Sequence, residues 1–255
     1  ALIFAVLSIL PLLGLAFGRI SKSVAPTAAQ GRAAGGDVGL TLFQALREWR
    51  FWVLAFAFVP ISFALGGPIP NIELLLGAKS FGAAEAVGLA ALVGVAVIVG
   101  RIVGGYLIDR FWAPGVAAIF LSAPAIALWF LGAPEMTRDM AMISIFLIGF
   151  GAGVEYDFMA YLVARYFGTR AYGAIYGSLY GFFAIGAGFG PPMFAAAVRS
   201  GPAAVESLMH AAMGVLIVGS VALLTLGRYR TFEAEPIAAE PANTRAETIE
   251  DVRPA

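Results

Sequence analysis

Three ionisable side chains stand among apolar neighbours. Arg101 lies inside "GVAVIVGRIVGG" (94–105), and Glu155 and Asp157 lie inside "GAGVEYDF" (151–158). A charge in hydrocarbon is costly and marks a functional site by default. A guanidinium is a planar fork that stays charged and takes a carboxylate through two parallel hydrogen bonds. An acid at the same depth neutralises it when no ligand is bound. A bound anion could displace that acid, which could then take up a proton. These residue types suit binding and exchange of an anion. The one histidine, His210, and the absence of cysteine leave no metal cluster and no thiolate. No enzyme, metal or cofactor is expected.

The elements that position these charges are long apolar runs. The chain has 255 residues, 60% hydrophobic and 13% charged. An average soluble domain is about a quarter charged. The mean hydropathy of +0.88 points the same way, and a lipid bilayer is the expected surrounding. A helix crossing the hydrocarbon needs roughly 20 mostly apolar residues. That criterion selects 1–18, 51–76, 86–108, 113–132, 140–164, 171–198 and 205–227. The expected fold is an all-α polytopic bundle of about seven spans. Residues 19–50 read as a Gly/Ala/Ser-rich basic linker ending in an interfacial helix, "LTLFQALREWR". Residues 228–255 read as a disordered polar tail. The apolar start at Ala1 has no basic leader and reads as a cut inside a longer protein.

Loop charge sets the orientation. Arg19, Lys22, Arg32, Arg47, Arg50, Arg110, Arg165, Arg170, Arg228 and Arg230 fall on one side, and Lys79, Arg138 and Arg199 on the other. The positive-inside rule makes the first side, and the C-terminus, cytoplasmic. Zero net charge gives no sign of a nucleic-acid partner. Two Gly/Pro clusters, "GGPIPN" (66–71) and "GFGPP" (188–192), are candidate breaks where backbone unwinds inside protein.

Helix geometry brings the charges to one level. Arg101 falls roughly 6 Å to the cytoplasmic side of the midplane, Glu155 roughly 4–5 Å and Asp157 roughly 7–8 Å. Residues two apart on a helix point about 200° apart, so the two acids cannot share a cavity. Asp157 shares its face with Gly149, Gly153, Ala160 and Ala164. Glu155 shares its face with Ile148, Gly151, Met159 and Leu162. The small-residue face suits a neighbouring helix, which inclines the reading to Glu155 for the cavity and Asp157 for packing. Either acid remains a possible partner of Arg101, and a purely structural ion pair is the competing reading. Asn71 is read as a cavity donor or as the cap of an unwound turn. The tyrosines at 156, 161, 172, 176 and 180 read as packing or an interfacial belt.

"GRIVGGYLIDRF" (100–111) resembles the loop signature of the major facilitator superfamily, in its copy between the eighth and ninth helices. The matched positions are Gly105, Asp109 and Arg110, with Arg101 upstream. The family's pattern continues with basic residues where this chain has "FWAPG". "LVARYFGTRAYGAIYGSLYGFFAIGAGFGPP" (162–192) resembles the tenth-to-eleventh helix region, closest to oxalate/formate antiporters and monocarboxylate carriers. The resemblance implies the C-terminal half of a twelve-helix transporter, with 1–18 as the sixth helix, 19–50 as the central loop and the N-terminal half missing. It implies a secondary transporter of a small organic anion, working by alternating access with proton coupling or exchange, in a plasma membrane of bacterial inner-membrane type. It implies Arg101 as the carboxylate ligand and Gly105, Asp109 and Arg110 as a conformational gate. Some relatives add a lysine in the eleventh helix, and 171–198 has none. The alternatives are a transporter of a non-anionic solute with Arg101 in a structural pair, and a receptor or channel on the same fold. A retinal protein is excluded because the only lysines, Lys22 and Lys79, lie in loops.

Overall fold

Thr41 and Gln44 cap each other. The Gln44 N–H donates to Thr41 Oγ1 at 3.4 Å, and the Thr41 N–H donates to Gln44 Oε1 at 2.9 Å. This reciprocal box satisfies two donors that a helix start leaves orphaned, and it opens α1 (Leu42–Arg47). Phe43 on α1 is exposed, with the Arg47 guanidinium over its ring. An extended Glu48 separates α1 from α2 (Trp49–Gly66). The computed structural model describes residues 38–229. The expected span at 1–18, the linker up to residue 37 and the tail beyond 229 lie outside the described residues.

The order continues with α3 (Ile72–Ala78), α4 (Ala83–Ala90), α5 (Leu92–Arg110), α6 (Ala113–Ser122) and α7 (Pro124–Gly132). It ends with α8 (Arg138–Phe167), α9 (Tyr172–Ser200) and α10 (Pro202–Ala222). Among the described residues these helices make six spans long and apolar enough to cross a membrane: Trp49–Ala78, Ala83–Arg110, Ala113–Gly132, Arg138–Phe167, Tyr172–Ser200 and Pro202–Leu226. The described chain is an all-α polytopic bundle.

The two Gly/Pro clusters behave differently. "GGPIPN" does break its helix: a 3₁₀ turn at Ile69–Asn71 separates α2 from α3. "GFGPP" does not, because α9 runs unbroken through Pro191 and Pro192. Each proline removes one backbone donor and strains the turn before it. The helix is held by packing instead. Gly186 sits against the Val59 carbonyl and Ser62 of α2, and Gly190 against Phe63 and Gly67. Ser62 Oγ donates to the Phe183 carbonyl at 2.8 Å, and Asn71 Nδ2 donates to the Pro191 carbonyl at 3.0 Å.

Helix α8 packs against α5 and α7, while α2 packs against α9 and α10. Their shared core includes Phe51, Phe58, Leu65, Phe158, Met159 and Phe194, all buried. The α5–α8 contact is a backbone approach. A Cβ on Gly100 would collide with the Phe150 carbonyl, and one on Gly153 with the Val97 carbonyl. Small residues at such crossings let helices come close enough for van der Waals attraction in lipid. The spans Ala83–Arg110 and Tyr172–Ser200 are the least covered, each with 22% of its most apolar window buried, against 56% for the first, third and fourth spans. Arg101 stands on one of these open helices.

Candidate functional site

The close crossing of α5 and α8 brings Arg101 to Asp157. Arg101 Nε donates to the Gly153 carbonyl at 3.1 Å and lies 3.7 Å from Asp157 Oδ2. The small-residue face of α8, with Gly149 and Gly153, does pack on the neighbouring helix. Asp157 sits one turn beyond Gly153, where that contact opens. Both charged side chains are more than half exposed, 57% for Arg101 and 54% for Asp157. Among the described residues no acceptor stands against the terminal Nη groups of Arg101. The two outer arms of the fork are therefore open, while its inner nitrogen is tethered. The Gly153 carbonyl was missed in the sequence because a backbone acceptor carries no residue-type signal.

Glu155 is elsewhere. Within this bundle Glu155 faces the core, whereas Asp157 stands beside Arg101 and is more than half exposed. Glu155 is 4% exposed, and the face it shares with Ile148, Gly151, Met159 and Leu162 is buried throughout. One turn away, a Cβ on Gly151 would meet Pro124 and Leu65. The face that looked neutral in the sequence is the core. Glu155 Oε2 is buried with no hydrogen-bond partner among the described residues. Burying an ionised carboxylate this way is costly, so the group must exchange a proton or find a partner.

Asn71 is also not beside Arg101. It is buried at the helix break, and Nδ2 donates to the Gly67 carbonyl at 2.9 Å as well as to Pro191. Both amide hydrogens are used on backbone, which is the capping alternative rather than the cavity donor.

The residues expected to form a gate lie at the arginine-rich end. Space beside Gly105 is open. Asp109 and Arg110 are exposed, and the Arg110 guanidinium lies 4.7 Å from the Tyr106 ring centre. Where the family's pattern would place basic residues, Trp112 Nε1 donates to the Gly227 carbonyl at 3.3 Å. Tyr166 Oη donates to the same carbonyl at 2.6 Å, and Arg50 Nε donates to the Leu226 carbonyl at 3.1 Å. The end of the sixth span is thus fastened across the bundle. At the opposite end a cavity of about 400 Å³ is lined by Lys79, Gly132, Pro134, Gly201 and Glu206. Lys79 Nζ donates to the Ala133 carbonyl. Burial holds its ammonium below the usual lysine range, and Glu206 opposes that shift.

Residues 1–191 match the family model of the Major Facilitator Superfamily. None of the curated proteins matches the chain. Among solved structures, the chain is similar to a bacterial homolog of the human lysosomal transporter Spinster, in an inward-facing and unoccupied conformation. The TM-score is 0.40 and the identity 20%, over 79% of this chain and 50% of that one. The chain spans about half the length of that protein. With 191 of its 255 residues matched by the family model, this six-span helical chain belongs to the Major Facilitator Superfamily of membrane transporters.

Proposed function

We propose that the chain forms the C-terminal half of a secondary active transporter for an organic anion, and that Arg101 holds the anion's carboxylate. The observation that carries this reading is the half-tethered guanidinium. Nε is fixed by the Gly153 carbonyl, the two outer nitrogens have no hydrogen-bond acceptor among the described residues, and the side chain is more than half exposed. A planar fork held this way is oriented in advance for bidentate recognition. Asp157 is the resting counter-ion, near enough to neutralise Arg101 and loose enough at 3.7 Å to be displaced. Family transporters of this type alternate access by moving two halves around a midplane site. The first half would supply the opposite wall, with the arginine-rich end cytoplasmic. Gly105, Asp109 and Arg110 would meet that half as a gate. Glu155, buried with an orphan oxygen two residues from Asp157 on the opposite face of α8, is the proton-exchanging group that would couple transport to a proton gradient.

The competing reading makes Arg101–Asp157 a structural pair. Its support is the same 3.7 Å contact. The geometry argues against it, since at 3.7 Å the two groups are not hydrogen-bonded and Arg101 Nε already donates to the Gly153 carbonyl. The test is uptake by the full-length transporter in proteoliposomes, comparing wild type with Arg101→Lys. Lysine keeps the charge and loses the fork, so the apparent KM for a carboxylate should rise at least about tenfold, the ~1.4 kcal/mol of one lost charge-assisted bond. Unchanged KM rejects the carboxylate role.

A further inference from the structure

At the end of the bundle opposite the arginine-rich one, three turns of the chain enclose a single cavity. The first span ends at Ala78 and Lys79 follows it. The third span ends at Gly132, and Gly201 joins the fifth span to the sixth at Pro202. These turns line the cavity of about 400 Å³, with Val198, Val205 and Glu206 in its wall. The local chemistry shapes it. Gly201 has φ +106°, a backbone that favours glycine, and a Cβ there would meet no atom within 4 Å. Gly132 brings α7 close to α10, since a Cβ on it would meet Met209 at 3.2 Å. His210 Nδ1 donates to the Glu206 carbonyl at 2.9 Å and steadies the turn that carries the carboxylate.

Two opposite charges share this cavity without meeting. Lys79 Nζ donates to the Ala133 carbonyl at the end of α7. An ammonium has three hydrogens, so two remain for another acceptor. Glu206 is exposed near the start of α10. Among the described residues the two make no ion pair with each other. A stabilising bridge between α3 and α10 would bring them within about 4 Å. Capping of α7 accounts for Lys79, but not for Glu206 or for the space between them. Burial disfavours the Lys79 ammonium, and an anion beside it would offset that. Apolar groups of Ala78, Pro134, Val198 and Val205 line much of the remaining wall. An apolar wall with a few convergent polar groups, at this volume, is the makeup of a small-molecule site.

We infer that this cavity is a second binding site, separate from Arg101, for a small free zwitterion with an apolar side group, of the neutral amino-acid class. The ligand's carboxylate goes to Lys79, its ammonium to Glu206, and its side group onto Val198 and Val205. A ligand with one charge leaves either Lys79 or Glu206 without a partner, whereas a zwitterion completes both. An ethanolamine lipid headgroup carries the same two charges, and the test separates the two sources.

The test is equilibrium binding to the full-length transporter in phosphatidylglycerol nanodiscs, with empty nanodiscs as control, read by saturation-transfer NMR titration. The probes are L-valine, isovalerate, which lacks the ammonium, and isobutylamine, which lacks the carboxylate. Valine should bind at least about tenfold tighter than either, the worth of one charge-assisted hydrogen bond. Lys79→Met should cut its advantage over isobutylamine to about twofold or less, and Glu206→Gln its advantage over isovalerate. Circular dichroism reports whether each variant is folded. Ala78→Phe, at an exposed position of the rim, fills the cavity and should abolish valine binding even if a charge variant does not fold. Arg101→Ala should leave valine binding unchanged. An advantage that survives the Lys79 and Glu206 changes overturns the inference. So does valine binding that is lost with Arg101→Ala and indifferent to Lys79→Met, which places the zwitterion at the central site. Valine binding that disappears in nanodiscs containing phosphatidylethanolamine assigns the cavity to a lipid headgroup and overturns the free ligand. No binding of valine overturns the site.

Discussion

Arg101 and Asp157 face each other across the α5–α8 crossing at 3.7 Å, and the Gly153 carbonyl holds Arg101 Nε in place at 3.1 Å. The arginine is anchored by backbone, so its position does not depend on the acid. Asp157→Asn should then leave the fold intact and remove a competitor for the guanidinium. Apparent affinity for the anion should rise about two- to fivefold, the worth of an exposed pair. Turnover should slow, because nothing displaces the bound anion. Equilibrium binding and exchange rates measured on the same preparation separate the two effects. Loss of folded protein would assign Asp157 to structure.

The crossing itself is testable. Gly153→Val forces a side chain into the Val97 backbone. Overpacking of this kind costs about 1–3 kcal/mol. Denaturant unfolding in detergent should show that loss. Gly94→Ala and Gly105→Ala, where space is open, should stay within about 0.5 kcal/mol. Equal effects at all three positions would remove the close-approach account.

Glu155→Gln keeps shape and removes the buried acid. The bundle should fold as well as wild type, since the orphan Oε2 offers no interaction to lose. Uptake by the full-length transporter should stop responding to an imposed proton gradient while anion exchange continues. A variant still accelerated by the gradient places proton coupling elsewhere.

The end of the linker is fastened to the α8–α9 loop. Gly39 pairs with Gly168, and the Leu40 N–H donates to the Phe167 carbonyl at 2.8 Å. Gly39 has φ +137°, and a Cβ there would run into the Phe167 carbonyl. A side chain at such a backbone position costs on the order of 1–3 kcal/mol. Gly39→Ala should therefore speed hydrogen exchange at Leu40 about ten- to a hundredfold. Exchange at α5 should be unaffected; a global rise would mean the whole bundle had loosened.

Much of this arrangement was legible in the sequence. Apolar run length located the six described spans, and the glycine spacing on α8 located its packing face. That Arg101 and Asp157 share one level followed from helix rise alone. The face of Glu155 did not, because a 3.6-residue period gives relative angles and says nothing about which neighbour fills each one. Glycines usually mark the tight contact, yet here the bulky face of α8 is the deeper core and the glycine face ends at an opening. "GFGPP" was misread for a related reason: proline chemistry is local, while the support from α2 is tertiary.

The most direct test of the central claim is anion uptake by the Arg101→Ala, Asp157→Ala double variant of the full-length transporter in proteoliposomes. Removing both charges leaves no uncompensated charge at the α5–α8 crossing, so the variant should fold. If Arg101 holds the substrate carboxylate, the double variant does not transport, with uptake at the level of empty liposomes. Uptake restored to the wild-type rate would contradict the account and make Arg101–Asp157 a structural pair.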